Sequence, residues 1–174
     1  MNMTHSMDAW VLRSMHRRLN YDHGVALHIA NCIEDELIER SLGTKPEELS
    51  LSPKVAYYIE QYRRSSLADI VILPHLDRDE ITHLSTEHLQ ALAQILTGML
   101  QHLPFELITV HDEFKAHPNN LNQVRWMYRE IMAEIAESNV LDDLLSQIMG
   151  APGTFNKVNF NLPELIRQSN YALC

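Results

Sequence analysis

Phe-Glu-Leu-Ile-Thr-Val-His-Asp-Glu-Phe-Lys-Ala-His-Pro, residues 105–118, begins as an apolar, β-branched run and then sets a histidine and two acids where the chain bends. Phe105 to Val110 reads as a strand, and Glu113 to Ala116 as a second strand returning after the bend. A buried hairpin would ordinarily place a pair such as Asn-Gly at that bend, because charge is unfavourable beside a core. His111 and Asp112 stand there instead.

Outward from this hairpin the pattern is helical. Pro118 and Asn119 open a long amphipathic helix with Leu121, Val124, Tyr128, Ile131 and Ile135 at three- and four-residue steps. A shorter helix runs from Val140 to Met149, Gly150 to Gly153 breaks it, and Pro163 starts a last helical turn or two. On the other side, Ser85 or Thr86 begins a helix whose stripe is Leu89, Leu92, Leu96, Met99 and Leu103, with Pro104 as its stop.

Nearer the N-terminus, Ser6 reads as the cap of a helix to about Leu19, with Asp8 in its first turn and Arg13, His16 and Arg17 on one face. Ala26, Ile29, Ile33 and Leu37 mark a second helix from His23-Gly24 to near Gly43, its Glu34-Asp35-Glu36 run reading as solvated. Residues 43–53 read as a loop, and Lys54 to Arg64 as a helix with Val55, Ile59 and Tyr62 pointing one way. Residues 67–73 read as a short buried strand that periodicity does not separate from helix, and Pro74 closes it. The expected class is α+β: mainly helical, with a small antiparallel hairpin packed against helices.

One domain with a real core fits in 174 residues. Fourteen Lys and Arg against 23 Asp and Glu give a net charge of −9, which argues against unaided nucleic-acid binding, since phosphates are met chiefly by cations. Cys32 and Cys174 provide neither a disulfide framework nor a cysteine-rich zinc site, and Cys32 reads as core. With no signal peptide pattern and no membrane-length apolar run, the expectation is a soluble, intracellular protein without a membrane partner.

A carboxylate held rigidly at the bend of a ribbon suits Mg2+, which takes few carboxylates and leaves positions for water and substrate phosphate. Asp112 is therefore the candidate ligand, while Glu113, one residue on, points to the opposite face and reads as a salt-bridge residue. On spacing alone, His111 and Asp112 read equally well as ordinary polar turn residues. His75, Asp77, Asp79, Glu80, His83 and His88 lie close in sequence, but the histidines are not three or four apart and no calcium-loop glycine is present, which speaks against a second metal site.

With its flanks, the segment from Leu107 to Cys174 resembles the end of the single-subunit RNA polymerases of bacteriophage type. Val110-His111-Asp112-Glu113-Phe114 matches the strand and His-Asp-x-Phe of that family's third catalytic palm motif. Pro118, the long helix to Glu137, Asn139-Val140-Leu141-Asp142-Asp143, Asn161-Leu162-Pro163 and the tail from Ser169 to Cys174 are similar to the family's successive C-terminal segments, in the same order. His5-Ser6-Met7-Asp8 with Leu12-Arg13 resembles the His-Ser-x-Asp-x-x-x-Leu-Arg helix beside the palm.

The resemblance implies that residues 1–22 and 104–174 form a polymerase palm portion and that 23–103 is a mostly helical insertion. It also implies that Asp112 is one of two Mg2+-binding aspartates and that His111 helps set the primer end. His5, Ser6, Asp8 and Cys174 would lie around template and nascent strand, with Arg13 facing either a backbone phosphate or solvent.

The family's first motif, with the other aspartate, and its fingers helix precede the His-Ser segment, and this chain begins at Met1. The implied enzyme is therefore a DNA-directed RNA polymerase whose remaining parts lie on another polypeptide, as in the two-chain enzymes of some podoviruses, or were cut away from this one, acting on nucleoside triphosphates, DNA template and nascent RNA; a degenerate relative is the other reading. Two alternatives stand beside it: a family A-like DNA polymerase fragment, which shares Val-His-Asp-Glu, and a non-catalytic helical interaction module.

Overall fold

The computed structural model describes residues 3–43, 51–110, 113–154, 157 and 159–170. Eight α-helices and one antiparallel ribbon run through them in the order α1 (Met3–Leu19), α2 (His23–Ser41), α3 (Pro53–Ser65), α4 (Arg78–Ile81), α5 (Thr86–Leu100), β1 (Ile108–Val110), β2 (Glu113–Lys115), α6 (Leu121–Glu137), α7 (Val140–Met149) and α8 (Leu162–Gln168). Short 3-10 turns occupy Ile70–His75 and Pro118–Asn120. Most of the loop expected over 43–53 lies outside the described residues. The protein is α+β and mainly helical. Its chain divides into two compact units: unit 1 is Met1–Asn20, Arg64–Leu67 and Phe105–Cys174, and unit 2 is Tyr21–Arg63 and Ala68–Pro104.

Unit 1 is built on α1 and α6. Val11, Ser14, Met15, Arg18 and Leu19 recur at helical spacing and bury one face of α1, while Val124, Met127 and Ile131 do the same on α6, and the two helices pack together. The α1 helix starts at Met3, so Ser6 lies inside it and Asp8 falls beyond its first turn, contrary to the capping expectation. The basic residues His16, Arg17 and Arg18 fill its last turn, where the dipole is negative. The chain returns beside this end, with Phe105 N–H donating to the Leu19 carbonyl at 2.8 Å.

The C-terminal helices of unit 1 are fastened to α6 by polar groups. Arg167 of α8 pairs with Glu130 at 3.0 Å and with Glu137, and Arg129 donates to the Ser169 carbonyl at 2.9 Å. Lys157 Nζ donates to the carbonyls of Ala136, Glu137 and Ser138 at 3.0, 2.8 and 2.9 Å, satisfying acceptors that the end of α6 leaves open. Asn139 N–H, just before α7, donates to the Ser65 carbonyl at 2.7 Å, and Arg64 lies 3.6 Å from Asp143. Gly150 ends α7 in the left-handed region at φ 64°.

Unit 2 pairs α2 with α5. Asp22 caps α2 through Val25 N–H at 3.0 Å, and Ala26, Ile29 and Ile33 form its buried stripe. Ser85 caps α5, which buries Leu89, Leu92, Leu96 and Met99; the helix ends at Leu100, so Leu103 is outside it and exposed. The buried strand expected over 67–73 is instead a 3-10 turn. Asp69 draws Val71 N–H to its side chain at 3.0 Å, favouring a turn, and Ile70, Ile72 and Leu73 are all buried.

Two further expectations change in unit 2. Glu36 is buried rather than solvated, because Arg40 Nε pairs with it at 2.6 Å and the same guanidinium donates to the Thr82 carbonyl and Thr86 Oγ1. Cys32 is half-buried, with Sγ 3.8 Å from His28 Nε2 one turn earlier, and does not belong to the core stripe.

Candidate functional site

The ribbon of unit 1 pairs Ile108 with Lys115, Thr109 with Phe114 and Val110 with Glu113. His111 and Asp112 are the two residues between Val110 and Glu113, and both lie outside the described residues, as does Cys174. Each strand has three residues, shorter than the expected Phe105–Val110 and Glu113–Ala116. Alternation decides the faces: Thr109 and Phe114 share the half-buried one, and Ile108, Val110, Glu113 and Lys115 the exposed one. The apolar run that begins like a core strand thus sends two of its apolar side chains outward.

The inward pair fixes the ribbon to both long helices. Thr109 Oγ1 lies 3.3 Å from His16 Nε2 of α1, and the Phe114 ring meets Tyr128 of α6 edge-on, 6.0 Å between centroids. Burial raises the Tyr128 phenol above its ordinary pKa, and the negative charge of Asp8 adds to the shift, which places Asp8 in the same neighbourhood. Arg18 Nη1 and Nη2 meet the two carboxylate oxygens of Glu134 at 2.7 and 2.6 Å, tying α1 to α6.

The candidate site residues therefore separate. Asp8, His5 and Arg13 are all exposed on α1 and Ser6 is half-buried; of these, Asp8 is near enough for its charge to reach Tyr128. Tyr128, which its spacing marks as a core position, is half-buried and meets both the ribbon and the charge of Asp8; helix periodicity carries no sign of a partner so distant along the chain. Glu113 forms an exposed ion pair with Lys115 at 3.1 Å.

Among the described residues, no group of three or more His, Cys, Asp or Glu side chains is placed to hold a metal ion. Three members of the acid and histidine cluster of unit 2 are engaged otherwise: His75 stacks on Tyr58, Asp77 caps α4 through Glu80 N–H, and His88 stacks on Tyr62 at 3.9 Å.

Within unit 1, a cleft of about 500 Å3 opens between α6 and the C-terminal helices. Its apolar walls are Met132, Ile135 and Ala136 of α6, Leu141 of α7, and Leu162 and Ile166 of α8. Neither α7 nor α8 buries a residue, and Leu141, Ile148, Met149, Phe160, Leu162 and Leu165 are all exposed. Among the described residues, no helix is long and apolar enough to cross a membrane. No protein-family model matches the chain, and no curated protein matches it.

Proposed function

We propose that the chain is one part of a DNA-directed RNA polymerase, contributing the His-Asp palm motif for nucleotidyl transfer and working only with the rest of the enzyme. The observation that carries this reading is the hairpin: a two-residue His111-Asp112 connection between antiparallel strands, held by the helix that bears His5, Ser6 and Asp8. The two segments that resemble the polymerase family are far apart in sequence and belong to the same unit.

The ribbon itself supports an assembly of more than one chain. Two strands of three residues are marginal alone, and no further strand occurs among the described residues. Ile108 and Val110 are exposed on the ribbon, as are Leu141, Ile148 and Met149 of α7 and Leu162 and Leu165 of α8, which is the surface expected of a core completed by another polypeptide.

In this reading Asp112 would supply one Mg2+ ligand and the rest of the enzyme the other aspartate; Mg2+, when bound, offsets the charge that builds on the reacting phosphate. The reaction is attack of an RNA 3′-hydroxyl on the α-phosphate of a nucleoside triphosphate. His111 sets the primer end, and Asp8, His5 and Ser6 shape the surroundings of template and transcript. Arg13, exposed on α1, is available to a backbone phosphate.

The test is primer extension by the assembled enzyme, purified with its companion from the native source, using ribonucleotides and deoxyribonucleotides in parallel. Asp112→Asn should abolish ribonucleotide incorporation while leaving the circular dichroism spectrum unchanged. Wild-type rates in that variant would discard the assignment, and a preference for deoxyribonucleotides would move it to the DNA polymerase branch.

A further inference from the structure

Charge is divided unequally between the two units. Unit 1 holds nine Lys and Arg against ten Asp and Glu, so it is close to neutral; unit 2 holds five against thirteen and carries nearly all of the net charge of −9. The electrostatic surface of unit 2 is therefore strongly negative, while the unit with the hairpin is not.

The outward face of α2 combines that charge with exposed apolar groups. Leu27 and Ile38 are 46% and 52% exposed and lie eleven residues apart, three full turns or about 16 Å along one side of the helix. Asn31, Glu34 and Asp35 are exposed on the same side, and Leu42, 79% exposed, extends the stripe beyond the last turn. Arg40 is the only Lys or Arg of α2 and is turned toward Glu36, Thr82 and Thr86. Arg78 touches this face at its edge, 3.5 Å from Glu39.

We infer that this face of α2 is a docking surface for a basic protein, one that receives Leu27 and Ile38 in an apolar groove rimmed by Lys or Arg. Charge selects the occupant. A nucleic acid or an anionic membrane would bring negative charge against negative charge, as would the unit 2 of a second copy, and the nearly neutral unit 1 of a second copy offers no excess of cations; the same field attracts a cationic surface. Apolar anchors spaced along one helix side, flanked by acids, match helix-in-groove recognition with electrostatic steering. The inference concerns unit 2 alone and holds whatever chemistry unit 1 performs.

The experiment places a benzoylphenylalanine photo-crosslinker at Asn31 of the full chain, and at exposed Gln94 of α5 as control, in extract from the native source. Adducts are identified by mass spectrometry, and the purified partner is titrated back. The expected result is a dominant adduct at position 31, absent at 94, with a protein containing more Lys and Arg than Asp and Glu. Leu27→Ser with Ile38→Ser should weaken its binding at least tenfold at unchanged melting temperature. Glu34→Gln with Asp35→Gln should weaken it and flatten its dependence on salt. No adduct, the same adduct at both positions, an adduct with nucleic acid, lipid, an acidic protein or a second copy, or binding unchanged in either double variant would overturn the inference.

Discussion

Arg18 is 1% exposed and brings a full positive charge into unit 1, where Glu134 meets it with two hydrogen bonds; its Nε finds no partner among the described residues. A buried pair of this kind contributes little against an apolar pair of similar volume, but breaking it strands a charge. Glu134→Leu should therefore destabilise unit 1 by about 3–5 kcal/mol, and adding Arg18→Met should restore most of the loss, both read from urea unfolding midpoints. Neither residue stands out in sequence: Arg18 closes a basic helix end and Glu134 is one of several acids on α6, and only the packing of the two helices joins them. Glu36 escapes a sequence reading for the same reason, since an acid inside an acidic run looks solvated until the arginine one turn later and its partners on other elements are placed.

Elements with a sustained period are legible from the residues, and those without one are not. The stripes on α2, α5 and α6 follow from apolar positions three and four apart, whereas Ile70–Leu73 is a continuous apolar run that strand and helix share, so a side-chain cap from Asp69 decides it. The hairpin is recognisable by its two strands, but its faces depend on register, which puts Thr109 and Phe114 inward and the more apolar Ile108 and Val110 outward. Glu113, the acid that leaves the bend, disturbs no core because it faces solvent. At the end of α7, no atom of the described residues lies within 4 Å of where a Cβ on Gly150 would stand, so a substitution there acts chiefly through the backbone. Gly150→Ala should lower stability by about 1–2 kcal/mol, with Gly150→Asn recovering part of it, measured as a shift in thermal midpoint.

Across the whole molecule, the net charge of −9 conceals its distribution: repulsion of nucleic acid belongs to unit 2 and not to the nearly neutral unit 1. The two units should also answer differently to acid. Burial lowers the His88 pKa to about 4, because its imidazole lies out of water against the Tyr62 ring. The unfolded chain holds that proton near 6.5 and the folded unit does not, so the stability of unit 2 is full above pH 6.5 and falls as pH drops toward 4, by up to roughly 3 kcal/mol. Amide exchange in α2 and α5 should accelerate over that interval, and His88→Phe should remove this part of the acid sensitivity. The four residues Arg64–Leu67 belong to unit 1 although the chain on both sides of them belongs to unit 2. A shortened gene that joined Asn20 to Phe105 would span only a small gap, since the Leu19 carbonyl already touches Phe105, yet it would also delete the Ser65 carbonyl that receives Asn139 and the guanidinium facing Asp143. Unit 2 is thus not a cassette to be cut out cleanly: a minimal version of unit 1 needs that tetrapeptide supplied again, or a redesigned entry to α7.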